Sequence, residues 1–312
     1  MQKLYDMDQV LLNDGRIFRV MGNFDNGTHF FGFNVYSPDP RGDRLFRGTK
    51  YSKYKSESTY GGVSVLDTCE IIDKKQVVEF FDPIETAKTN NDSYSQTIWH
   101  DLYLELVSIF GADNIGLLGS ALSGLHFNLE GKLKNDVDFF IEGIDKVSIL
   151  EKNMQCVRED LGFCDYEPEV LKVIYDECKE VYSNPNNTLE KIIERRWSGM
   201  ELPGNSPVRN TMRFRDKSIN SPFELLSPIT EQQNEKIRGI VNQAIGGNLF
   251  PRHFSITTEA GNVRDVYCLW WKISSPVKDG DEVEVCGDIL NIDGIETVRI
   301  DNFENHWIHI YN

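Results

Sequence analysis

The chain has 312 residues, 40% of them apolar, and a formal charge of -16, which bounds it to about two domains of ordinary globular composition. Such a negative balance repels phosphate backbones at long range; it weighs against a generic nucleic-acid binder while leaving room for a local basic cleft or for a nucleotide that arrives with a divalent metal. The six cysteines, Cys69, Cys156, Cys164, Cys178, Cys268 and Cys286, form no CxxC pair and have no histidine at zinc spacing, so they read as reduced thiols. No basic N-terminal region precedes an apolar run and no apolar stretch approaches ~18 residues, so the expectation is a cytoplasmic, unanchored protein.

In chain order, the first ~60 residues read as β structure: "QVLLN", "RIFRVMG" and "THFFGFNVY" are separated by Asp14-Gly15 and Asn26-Gly27 turn signals. The window that follows, with Arg41, Arg44, Arg47, Lys50, Lys53 and Lys55 interleaved with Tyr51 and Tyr54, is the most basic in the chain. It reads either as a solvated edge or as a phosphate-binding surface for an RNA or protein acceptor, with tyrosines available for stacking. From Ser95 the period becomes helical, with Ile98, Leu102, Leu106 and Ile109 on one stripe and Gly111 as a stop. The apolar strand "NIGLLG" comes next. Further helices are expected over 147–161, over 169–182, from Thr188 in "TLEKIIERRW", and over 229–245, with a strand at 210–215. The last ~60 residues return to β, and Val283 and Val285 alternate with Glu282 and Glu284 as the wall of a small OB-like barrel does. Neither GxGxxG nor GxxxxGK[ST] is present, so dinucleotide and P-loop chemistry have no support.

The chemistry concentrates in "GLLGSALSGLHFNLEGKLKNDVDFFIEG", residues 116 to 143. Strand side chains alternate, so Asp136 and Asp138 share a face and Val137 turns away. Like charges side by side are costly unless a cation sits between them, and carboxylates suit a hard ion such as Mg²⁺ or Mn²⁺. Gly119-Ser120, ahead of an expected helix N-terminus, offers backbone N–H groups and a hydroxyl to phosphate oxygens.

Gly119-Ser120 followed by Asp136-Val137-Asp138-Phe139-Phe140-Ile141 resembles the "GS … DhD" signature of the DNA polymerase β nucleotidyltransferase superfamily, with "NLEGKLKN" as a longer spacer than that superfamily usually has. With "RIFRVMGNF", "YSPDPRGDRLFRGTKYSKY" and "DGDEVEVCGDIL", most of the chain looks like a group of mostly archaeal predicted nucleotidyltransferases. The resemblance implies an α+β fold: a minimal nucleotidyltransferase core at 91–248, flanked by a β-rich segment at 1–90 and a small β-barrel-like domain at 249–312. It implies transfer of an NMP from an NTP to a hydroxyl acceptor (RNA or tRNA, protein or small molecule), with Asp136 and Asp138 holding Mg²⁺ or Mn²⁺ and Gly119 and Ser120 holding the triphosphate. A third carboxylate is implied on a further strand, with Asp216 the first candidate and Asp165 the second. The alternative is a nucleotide-binding or regulatory protein without turnover.

Arg213 and Arg215 share a strand face near Asp216 and are candidates for phosphate charge. Arg195 and Arg196 could reach a triphosphate or complement a helix end. His126 reads as a packed or capping side chain, and Trp270-Trp271 as one core and one surface residue. His306 and His309 have too few companions for a metal site.

Overall fold

The structure, a computed structural model, describes residues 2–54, 64–133, 137–179, 190–191, 195, 197–202, 208–227, 234–270, 277–302 and 304–311. The chain forms two compact units, Met1–Lys55 with Ile71–Tyr166 and Ser198–Ile219, and Ser56–Glu70 with Glu167–Trp197 and Asn220–Asn312. Among the described residues no helix is long and apolar enough to cross a membrane.

The first unit opens with β1 (Gln9–Leu12), β2 (Ile17–Val20), β3 (His29–Pro38), β4 (Arg44–Phe46), β5 (Thr49–Lys53), β6 (Glu70–Asp73) and β7 (Val77–Phe81). They make one seven-stranded sheet in the order β4-β5-β3-β2-β1-β7, with β6 also on β3. Gly15, at φ 85, closes the β1–β2 turn as the Asp-Gly signal predicts. Pairing of Val10 with Phe18 brings the alternate apolar residues of both strands into a cluster with Leu12, Val20, Phe30 and Ile72.

Helix α1 (Pro83–Thr89) starts where the Asp82 side chain accepts from the Ile84 and Glu85 amides, with proline at its first turn. Then come α2 (Ile98–Phe110), β8 (Ile115–Leu117), α3 (Gly119–Leu122), β9 (Phe139–Glu142) and α4 (Val147–Leu161). The unit continues through the hairpin β10 (Gly199–Leu202) and β11 (Val208–Thr211) to β12 (Arg213–Arg215). The central sheet is β12-β9-β8, with β8 antiparallel and β12 parallel to β9. Strand alternation gives β9 two different faces. Phe139 meets Tyr103 of α2, ring centroids 6.0 Å apart, above the buried Leu102, Leu106, Leu150 and Met154 of α2 and α4; each such side chain contributes roughly 1.5–3 kcal/mol. Phe140 turns the other way, onto Met7 and Leu118.

Arg215 closes this second face. It is buried, stacks 4.2 Å from the Phe140 ring centroid, donates from Nε to Glu142 at 2.8 Å and from Nη1 to Asp8 at 2.5 Å. It therefore joins β12, β9 and the segment leading into β1, and is committed to the fold rather than to a phosphate.

The second unit contains α5 (Pro168–Lys179) and the strands β13 (Glu235–Asn242), β14 (Arg252–Thr258), β15 (Val263–Cys268), β16 (Glu282–Ile292), β17 (Ile295–Ile300) and β18 (Trp307–Ile310). Five of them close a barrel in the order β13-β14-β15-β17-β16 and back to β13, with β18 added on β16. The helix expected over 229–245 is corrected to the strand β13, paired on both sides; the helix expected from Thr188 lies mostly outside the described residues. Val283 and Val285 point inward as alternation predicts, with Phe254, Val266 and Val298. Gly287 lets the chain pass close to β17, where a Cβ would stand 2.5 Å from the Arg299 carbonyl oxygen.

His306 is a structural residue of the barrel. Its Nδ1 accepts the Asp301 and Asn302 amides at 3.0 and 2.9 Å, so Nε2 carries the proton and donates to Asp288 at 3.2 Å. Burial works to raise the Asp288 carboxyl, but the hydrogen bonds from His306 and the Asn234 amide and the charge of Arg299 hold it below its usual value.

Two outcomes follow. Arg215→Met should lower the unfolding free energy, measured by urea titration, by about 3–5 kcal/mol, because it leaves Asp8 buried without its partner. A depressed carboxyl stabilises the fold above its unfolded pKa and loses that contribution as pH falls through the folded one. Wild-type stability should therefore decline more steeply below about pH 4 than that of Asp288→Asn, as read from urea midpoints across pH 3–7.

Candidate functional site

Strand β8 ends at Leu118, whose amide donates to the Asp138 carbonyl at 2.9 Å. The next residue, Gly119, takes φ +57, and a Cβ there would lie 3.2 Å from the Asp138 carboxylate. The chain thus turns where only glycine is unstrained, directly against the acidic side chain. Gln9 of β1 holds the turn by donating from Nε2 to the Gly119 carbonyl at 2.8 Å. Ser120 is buried and its side chain hydrogen-bonds the Tyr36 hydroxyl; Arg44 donates to that hydroxyl at 3.1 Å and to the Leu125 carbonyl at 3.0 Å. Helix α3 is one turn long, too short for the macrodipole expected behind the Gly-Ser turn, so only its backbone and hydroxyl groups remain as anion partners.

Strand register decides what surrounds Asp138. Arg213 lies opposite Phe140, hence on the face shared by residues 138, 140 and 142. Arg19 lies opposite Gln9, and directly opposed residues point to the same side, the side on which Gln9 reaches Gly119. Lys53 lies opposite Tyr36, whose hydroxyl reaches Ser120. Burial raises the pKa of the half-buried Asp138, against the lowering charges of Arg213, Arg19 and Lys53. Of the residues expected at the site, Gly119, Ser120, Asp138 and Arg213 come together, and Asp136 lies outside the described residues.

Asp216 does not join them. It follows β12 at the level of the residue after Glu142, about 16 Å along the strands from Asp138 at ~3.3 Å per residue. There it accepts from the Ile144 amide at 3.0 Å and the Ser218 amide at 2.8 Å, and so caps a turn. Asp165, the second candidate, is exposed and paired with Arg158 at 2.8 Å. Among the described residues no three His, Cys, Asp or Glu side chains gather as a metal site. Among the described residues, which do not include Asp136, no three-carboxylate centre forms around Asp138.

The residues of the basic window differ in their surroundings. Arg44 is buried, Arg47 clamps Glu79 with two bonds of 2.6 Å, Arg41 lies 3.8 Å from Asp39, Lys50 is exposed, and Lys55 is outside the described residues. Arg195 is bonded to Asp281 at 2.5 Å, while Arg196 is outside. His126 is buried, and burial lowers its pKa, so it is a neutral packed ring at pH 7. Trp270 is buried and Trp271 is outside the described residues.

Sequence reasoning missed Arg19, Gln9 and Tyr36, because nothing local in "RIFRVMG" or "FNVYSP" signals proximity to a turn about a hundred residues away. Comparison with known proteins finds no matching family model, no matching curated protein and no matching solved structure.

Gly119→Ala should cost about 1–2 kcal/mol of unfolding free energy, the penalty of a left-handed alanine, with the change read by denaturant titration.

Proposed function

We propose that the chain is a nucleotidyltransferase that moves an NMP from an NTP to a hydroxyl acceptor at the Gly119-Ser120 turn. One observation carries this reading: three separate strand pairings direct Arg19, Arg213 and Lys53 to the turn that holds Gly119, Ser120 and Asp138. A carboxylate ringed by cations beside a glycine turn suits a polyanion, and the resemblance to the polymerase β superfamily names the polyanion as a nucleoside triphosphate. The helix, strand, Gly-Ser turn, strand, helix, strand order of the first unit supports a minimal nucleotidyltransferase core.

In the reaction, the acceptor oxygen attacks the α-phosphorus. A new P–O bond forms, the bond to the β-phosphate bridge breaks, pyrophosphate leaves with the electron pair, and the hydroxyl proton passes to solvent. Arg19, Arg213 and Lys53 bind and orient the phosphates; Ser120, held by Tyr36, fixes the turn. Asp138 is the described carboxylate placed to carry a Mg²⁺ or Mn²⁺ ion, which when bound would neutralise phosphate oxygens. The displacement of Asp216 favours a second reading, a nucleotide-binding regulator without turnover.

Incubation with each α-labelled NTP, Mg²⁺ or Mn²⁺, and total cellular RNA or protein separates the two. For a transferase, label should move to acceptor, fall by more than about 100-fold in Asp138→Asn, and persist in Asp216→Asn, whose carboxylate caps a turn. Metal-supported nucleotide binding with no transfer in the parent would establish the regulator.

A further inference from the structure

We propose that Gln9 is a ligand of the divalent ion at Asp138, through its side-chain oxygen Oε1. The ion is that of the nucleotidyltransferase reading above, on which this assignment rests. Gln9 is fully buried in β1, between Arg19 of β2 and Phe81 of β7. A polar side chain so enclosed needs both ends of its amide met. One end is met, because Nε2 donates to the Gly119 carbonyl at 2.8 Å. That bond also fixes which way the amide lies: a carbonyl oxygen can only accept, so the nitrogen faces Gly119 and Oε1 turns the other way. Oε1 is buried and meets no donor among the described residues.

What meets an amide oxygen is either a hydrogen-bond donor or a cation, and the neighbouring residue decides between them. Gly119 touches Asp138 as well, since a Cβ on Gly119 would lie 3.2 Å from Asp138 Oδ2. The Gln9 amide and the Asp138 carboxylate thus flank one residue, at the turn assigned to the triphosphate. Hard divalent ions take mixed sets of carboxylate, amide-carbonyl and phosphate oxygens. A hydroxyl donor would satisfy Oε1 alone, whereas a divalent ion satisfies Oε1 and the charge of the half-buried Asp138 together. The amide also adds an oxygen without adding a further negative charge to be enclosed.

The test uses the full chain grown with glutamine carrying ¹³C at its side-chain carbonyl, loaded with Mn²⁺ and saturating inorganic tripolyphosphate, so that no base need be known. Electron nuclear double resonance then reads whether a labelled carbonyl carbon belongs to a ligand of the ion. The expected result is a ¹³C coupling in the parent, its loss in Gln9→Met, and Mn²⁺ bound about tenfold more weakly by that variant. Asp138→Asn should abolish the bound Mn²⁺ signal. The coupling in the parent needs no variant, and circular dichroism melts check that Gln9→Met folds. Asp138-dependent Mn²⁺ without a ¹³C coupling, or an unchanged coupling or affinity in folded Gln9→Met, would overturn this assignment and leave the nucleotidyltransferase reading standing. Absence of Asp138-dependent Mn²⁺ in the parent would overturn both. A coupling from Gln9 in a protein that transfers no label to any acceptor would sustain the assignment and remove the catalytic reading.

Discussion

The first unit depends on the burial of one guanidinium. A charge as enclosed as that of Arg215 is tolerated only if it is paired, and Asp8 and Glu142 pair with it from two different parts of the chain. Burial pushes the Asp8 carboxyl up to about 6, against the charge and hydrogen bond of Arg215. Asp6 is raised by burial as well, while its backbone carbonyl accepts from Arg215. The segment before β1 is thus bound to the end of β12 by charge, and the register of β12 on β9 is bound with it.

That register sets the electrostatics around the Gly-Ser turn. Because side chains alternate, fixing Arg215 opposite Glu142 places Arg213 opposite Phe140 and on the face of Asp138. A slip of one residue would turn both arginines to the helices and bring Phe214 to the polar side. Arg19 depends in the same way on its pairing with Gln9, which is anchored to the Gly119 carbonyl. The seven-stranded sheet is therefore part of the candidate site: it supplies Gln9, Arg19, Tyr36, Arg44 and Lys53.

Much of the fold was legible where a local pattern and the final burial agree. Helix α4 spans Val147–Leu161 as its period and the Gly162 stop indicate, and the Asp14-Gly15 turn and the Val283/Val285 alternation hold. The segment around β13 was not legible. Ile237, Ile240, Val241 and Ala244 satisfy helical spacing as well as any strand pattern, and pairing with both β14 and β16 decided in favour of the strand. The helix after the Gly-Ser turn shrank to one turn, because the chain bends back at Gly124, φ +73, too soon for a longer one.

The amino-acid sequence by itself determined the pieces: the turns, the main helices, the alternation of the strands, and the presence of Gly119, Ser120 and Asp138 in one segment. These are properties of short stretches, set by backbone sterics and by periods of two and 3.6 residues. Only the tertiary structure decided which charges meet. Asp216 and Arg213 stand three residues apart in sequence, yet one caps the Ile144 turn and the other faces Asp138, while Arg19, far away in sequence, comes within electrostatic reach of Asp138. Charges act through space, and the distances between them are set by strand pairings that no local stretch encodes.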